Sequence, residues 1–182
     1  MNAFFFITLT LFFIVIQTII LPTFLWFDQC FDLLIIEILF LSFIPSHYSM
    51  VLAIIAIGCL MDSISGVPFG HYIFSYLWVY IIVQIAKQLL FQRSTVFIFI
   101  MSIVSISIQH GFLLFSVFVQ NGVDAIWELN FTLLIRQIFW GVVFIPPGIW
   151  LINIFWQKWI LKTKFLQNSV FQNTEDRIDR IQ

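Results

Sequence analysis

From Phe4 to Phe27 the chain runs without one charged residue, and a segment of that length and character belongs in a lipid bilayer. The reason is geometric. A helix rises about 1.5 Å per residue, so about 20 apolar residues cross a hydrocarbon core roughly 30 Å thick. Similar runs recur at Phe31 to Ile44, Met50 to Val67, Gly70 to Leu90, Val96 to Val119 and Phe131 to Trp159, each after a polar or Gly/Pro-containing break. The second run is the shortest and carries Asp32 and Glu37, so it is expected as a tilted helix or a re-entrant segment. With 62% hydrophobic and 9% charged residues and only short loops between runs, the chain reads as an all-α integral membrane protein, a six-transmembrane-helix bundle. Residues 1–160 form its single domain, and 161–182 form a short cytoplasmic tail too small to bury a core, read as a mobile terminus.

Orientation follows from the eight Lys and Arg residues. All but Arg136 fall at Lys87 with Arg93 or between Lys158 and Arg180. If the spans alternate and the amino terminus is cytoplasmic, the junctions Pro45 to Ser49 and Lys87 to Thr95 and the tail lie inside, as the positive-inside tendency requires. An odd number of spans would divide the two basic groups between the sides. Asp28, Asp32, the Val67 to His71 turn and the loop with Asn121, Asp124 and Glu128 then lie outside. Lys158 and Lys162, an i,i+4 pair, and Lys164 mark an interfacial helix end. The first run has no basic leader, and Pro22-Thr23-Phe24-Leu25 is no small-residue cleavage site, so it is expected to be a retained helix. Cys30 and Cys59 show no CxxC and no His/Cys ligand spacing, so neither a disulfide, a metal nor a cofactor is expected.

Chemistry in such a chain falls to polar groups within the spans, which are costly there. Gln17, Glu37, Asp62, His110 and Arg136 are expected at comparable depth toward the outer side, with Gln109 beside them, as a polar cluster opening outward. An ion pair between Arg136 and either Asp62 or Glu37 competes with the plainer alternative that Arg136 snorkels to the headgroups. Pro146-Pro147-Gly148 is expected to break or kink the last helix, because proline removes a backbone donor and clashes with the preceding turn.

The most specific pattern is Gly58, Asp62, Ser65-Gly66 and Gly70, spaced G-x3-D-x2-S-G-x3-G. Gly58, Asp62 and Gly66 recur every four residues and would share a helix face that a neighbouring helix can approach closely. Pro68 and Gly70 then form a compact turn into the next span, with a carboxylate near the tip of the hairpin.

This motif resembles the central motif of the MreD family of rod shape-determining membrane proteins, and Trp140 to Pro147 is similar to that family's last helix. The resemblance implies a fold similar to the S-components of energy-coupling-factor transporters. It also implies a non-enzymatic place in the bacterial inner-membrane elongation machinery for lateral peptidoglycan synthesis. The partners implied are an MreC-like bitopic protein and, through it, MreB, RodA and the elongation transpeptidase. Glu37 and Arg136 are not motif positions. Two other functions stay open. An S-component would bind a vitamin-like solute from outside, although the first span lacks the Ala-x3-Ala pattern such proteins present. An intramembrane enzyme would have to assemble Ser63, Ser65, His110 and Asp62, which their spacing does not impose. Nothing in the charge pattern points to nucleic acid.

Overall fold

The computed structural model describes residues 3–23, 31–44, 48–89, 95–121 and 131–179, all of it helix and connecting turns with no strand among them. The expected elements at Asp28, Cys30, Pro45, Arg93, Asp124, Glu128 and Arg180 lie outside the described residues. Among the described residues six α-helices follow in order: α1 Ala3–Val15, α2 Leu34–Phe43, α3 Tyr48–Ser65, α4 His71–Leu89, α5 Thr95–Asn121 and α6 Phe131–Asp179. The chain divides into two compact units, residues 1–149 and 150–182.

Among the described residues four segments are long and apolar enough to cross a membrane: Phe4–Thr23, Tyr48–Ser65, Thr95–Gln120 and Leu134–Lys162. Two of the six expected spans are not among them. α4 has the length, but His71, Tyr72, Ser75, Tyr76, Tyr80, Gln84 and Lys87 dilute its apolar character. Those residues do not face lipid alone. Ser75, Tyr76 and Tyr80 are buried, and α4 packs against α2, α3 and α5. α2 misses for a different reason: its ten residues rise only about 15 Å, half the hydrocarbon thickness. It ends where Ile44 turns extended (φ −74°, ψ 147°), as the residue before a proline must when the ring of Pro45 excludes the helical region. Every residue from Leu34 to Ser42 is buried. α2 is thus the core of the first unit rather than a lipid-facing element, and its uniform hydrophobicity matches that position.

Side-chain contacts fix the helix directions. Phe6 meets Phe40, Thr10 meets Glu37 and Gln17 meets Leu33, so α1 runs antiparallel to α2. Phe97 meets Phe43 and Gln109 meets Asp32, so α5 also runs against α2. Tyr76 meets Asp32 and Gln84 meets the Ser42 carbonyl, so α4 runs with it.

α1 does not stop cleanly. Its last turn widens over Ile16–Ile20, where the Leu21 N–H reaches the Ile16 carbonyl, and tightens over Leu21–Thr23. Pro22 has no N–H to continue the regular ladder, and such widened turns often accompany functional positions. Gln17 sits in this widened turn.

α6 corrects one expectation. It runs as assigned helix through Pro146 and Pro147, so the double proline does not end it. Two donors are lost, but leaving the helix inside a bilayer would orphan many more backbone groups. Helix also continues past Leu161 to Asp179, into the segment read as a short tail; no Gly or Pro follows Gly148 to interrupt it.

Candidate functional site

The G-x3-D-x2-S-G-x3-G pattern forms the α3–α4 hairpin, with each position explained locally. α3 ends at Ser65, and Gly66 (φ +69°) and Gly70 (φ +101°) occupy left-handed backbone that other residues adopt at a cost. The Pro68 carbonyl accepts the His71 N–H at 3.2 Å, closing the turn. Asp62 then clasps the start of α4 from across the hairpin: Oδ2 accepts the Gly70 N–H and Oδ1 the Tyr72 N–H, each at 2.8 Å. The first N–H groups of a helix have no partner within it, and a carboxylate there also meets the positive end of the helix dipole. Asp62 therefore acts as an N-terminal cap supplied by a neighbouring helix.

The expectation of one close-packed face through Gly58, Asp62 and Gly66 is corrected. A Cβ at Gly58 would come within 2.7 Å of the Ile73 Cα, so the close approach of α4 is there. A Cβ at Gly66 would meet nothing within 4 Å, and Gly66 lies beyond the end of α3. Its glycine serves conformation, not packing. Gly148, expected in a helix break, is instead where α6 approaches α2, since a Cβ there would lie 2.9 Å from the Ile36 Cδ1.

The polar residues form two separate groups rather than one cluster. In the first, Asp32 is the hub. Its Oδ1 accepts the Leu34 N–H at 3.0 Å, and its Oδ2 accepts Gln109 Nε2–H at 2.7 Å and the Tyr76 hydroxyl. The Gln17 Oε1 accepts the Leu33 N–H at 3.1 Å, so side chains from the end of α1, α4 and α5 together organise the start of α2. The rings of Tyr72 and Tyr76 lie 5.7 Å apart and link this hub to the Asp62 clasp. Beside Asp32 is a cavity of about 120 Å³ whose polar lining comes from Gln17, His71, Gln109, His110 and Gln137. Gln17 and His110 thus line the same cavity.

Glu37 belongs elsewhere. It lies in α2 against the middle of α1, wholly buried, where Oε1 accepts the Thr10 hydroxyl at 2.9 Å and Oε2 has no hydrogen-bond partner among the described residues. The same hydroxyl lies 2.9 Å from the Phe6 carbonyl, so its one hydrogen serves both acceptors. The Thr10 hydroxyl bonds Glu37, and the backbone N–H groups of Gly70 and Tyr72 bond Asp62. The adjacent Gln137, not Arg136, reaches the cavity.

Asp32, Tyr76 and Gln137 were not singled out from sequence as cluster members. By sequence Asp32 falls at the outer end of a weak span, and Tyr76 falls within an apolar run. The i,i+4 recurrence of Tyr72, Tyr76 and Tyr80 along α4 was the available signal for a polar-tipped buried stripe.

No family model matches the chain, and neither a curated protein nor a solved structure does.

Proposed function

We propose that this chain is a non-enzymatic scaffold of the MreD type in a bacterial inner membrane. It crosses the bilayer six times with both termini in the cytoplasm and binds an MreC-like bitopic protein of the elongation machinery. The observation that carries the reading is the internal use of the polar motif. Both oxygens of Asp62 are taken by backbone N–H groups, so the motif builds a rigid hairpin that presents a surface rather than a reactive group. The chain-direction pattern also favours six passes. α2 is too short to span alone, but it runs against α1 and α5 and with α4, as successive crossings would.

Two rival readings meet physical difficulties. The polar cavity of about 120 Å³ is well below the roughly 300 Å³ at which small-molecule pockets begin, which disfavours capture of a vitamin-sized solute. For an intramembrane enzyme, a nucleophile should sit beside its base. Ser63 instead donates to the Cys59 carbonyl of its own helix at 2.8 Å, and Asp62 is occupied by backbone.

The test is co-purification. The carboxyl terminus is tagged, native membranes are gently solubilised, and bound proteins are identified by mass spectrometry. Recovery of an MreC-like protein with wall synthases is the expected result. Recovery of paired ATPases with a coupling subunit would overturn the scaffold in favour of an S-component.

A further inference from the structure

The polar cavity beside Asp32 lies on the seam between α5 and α6. At Gly141 of α6 a Cβ would collide with the Ile106 side chain of α5, so the two helices touch there. One turn on in α5 comes His110, and one turn back in α6 comes Gln137. Both line the cavity together with Ile106, as helices running in opposite directions require. The direct contact at Gly141 thus gives way, one turn along, to a polar space. Gln17 faces the same space from the widened turn after α1, and Gln109 faces it from α5.

His110 and Gln137 bring unused hydrogen-bonding groups to this space. His110 is nine-tenths buried, and neither residue has a hydrogen bond among the described residues. Gln109 gives an Nε2–H to Asp32 at 2.7 Å, which leaves its carbonyl oxygen to accept. A neutral imidazole offers one donor and one acceptor, and a carboxamide offers two donors and an acceptor oxygen. That mixture decides the occupant. An anion would lie beside the Asp32 carboxylate with no Arg or Lys among the lining residues to offset it. A cation would find that carboxylate already accepting the Leu34 N–H, the Tyr76 hydroxyl and the Gln109 amide. An acyl chain would leave His110 and Gln137 desolvated and unpaired. Water both donates and accepts, and at about 30 Å³ per molecule the cavity of about 120 Å³ has room for about four.

We infer that this cavity is an internal hydration site, in which about four waters bridge His110 and Gln109 of α5 to Gln137 of α6 and to Gln17 at the end of α1. The waters take the place of direct side-chain bonds across the seam. α6 is then held to α5 by packing at Gly141 and, one turn away, by water-mediated hydrogen bonds. His110 consequently meets water eleven residues, about 16 Å, before the end of α5 at Asn121. The site is independent of the scaffold reading: it requires only the helices and their register.

The test is X-ray hydroxyl-radical footprinting of the full-length chain in lipid nanodiscs, read residue by residue by mass spectrometry, with and without a radical scavenger in the bulk solvent. Radicals form from water next to a side chain, so a buried residue oxidises readily only where water is held. Met101 is buried in the apolar core and is intrinsically more reactive than histidine, while Tyr48 is exposed, so the two serve as dry and open references. His110 is expected to oxidise faster than Met101 and to remain oxidised when the scavenger suppresses Tyr48. Gln137→Leu, close in size to the parent side chain, should bring His110 down to the Met101 rate. A parent His110 no faster than Met101 would overturn the proposal, because the cavity would then be dry or filled by lipid. Suppression of His110 by scavenger to the same extent as Tyr48 would also overturn it, since the water would be open solvent. So would a His110 rate unchanged in Gln137→Leu. The parent measurement decides by itself if the variant does not fold, and failure here would leave the co-purification result untouched.

Discussion

Replacing Asp62 measures how much of the hairpin depends on one side chain. Its two oxygens each accept a backbone N–H at 2.8 Å, and Asp62 itself is buried. A hydrogen bond to a charged acceptor contributes about 1.5–3 kcal/mol net, and an orphaned buried donor costs about as much. Asp62→Ala removes both bonds and leaves the N–H groups of Gly70 and Tyr72 unpaired, so its expected cost is about 3–6 kcal/mol. Asp62→Asn keeps one acceptor oxygen and turns an amide N–H toward the other donor, for about half that loss. The assay is unfolding of the purified chain in mixed micelles, followed by tryptophan fluorescence across a denaturing-detergent titration. Stability should fall in the order parent, Asn variant, Ala variant, with Gly70 and Tyr72 amides exchanging faster in both variants. Indistinguishable parent and Ala midpoints would refute the clasp. An Asn variant less stable than the Ala variant would refute the arithmetic. If the Asn variant remains folded and abundant yet loses the partner recovered by co-purification, Asp62 also contributes to the partner surface.

Gly58→Ala and Gly66→Ala should separate packing from conformation. The first forces a Cβ to within 2.7 Å of the Ile73 Cα and should cost about 1–3 kcal/mol and shift α3 from α4 in spin-label distances, while the second should cost about 1 kcal/mol with those distances unchanged. Thr10→Val leaves both oxygens of Glu37 buried without a partner and should destabilise by about 1–3 kcal/mol, whereas Thr10→Val with Glu37→Met should regain parental stability or exceed it in the same titration. If that double variant is stable but fails to complement a cell lacking the chain, Glu37 is kept for function. Tyr76→Phe removes the phenol donor to Asp32 and should lower stability by about 1–2 kcal/mol; amide exchange at Leu33 and Leu34, the start of α2, reads the loss.

The helices themselves were readable in sequence because bilayer thickness turns an apolar run into a helix whatever its neighbours do. Phe4–Thr23, Tyr48–Ser65, Thr95–Gln120 and Leu134–Lys162 follow from that alone. The hairpin was readable too, since Pro68 and Gly70 act through local backbone geometry, whereas the left-handed turn at Gly66 was hidden behind its helical spacing from Gly58 and Asp62. The candidate site was not. Hydropathy records that Glu37, Asp62 and Arg136 are polar and roughly how deep they lie, but not which way each points around its helix axis. Asp62 turns to the hairpin, Glu37 to α1, and Asp32, one and a half turns from Glu37 along α2, to α4 and α5. Pairing depends on that azimuth, and azimuth is set by how neighbouring helices pack. By itself, then, the sequence determined an apolar helical chain with a Pro/Gly turn between α3 and α4. Only the tertiary structure decided that the short second helix lies at the centre, that α4 spends its polarity inward, and that Gln17, Tyr76 and Gln109 meet Asp32 and Leu33 through bonds spanning 16 to 77 residues. These partners are joined by side-chain hydrogen bonds in three dimensions, for which linear spacing carries no signature.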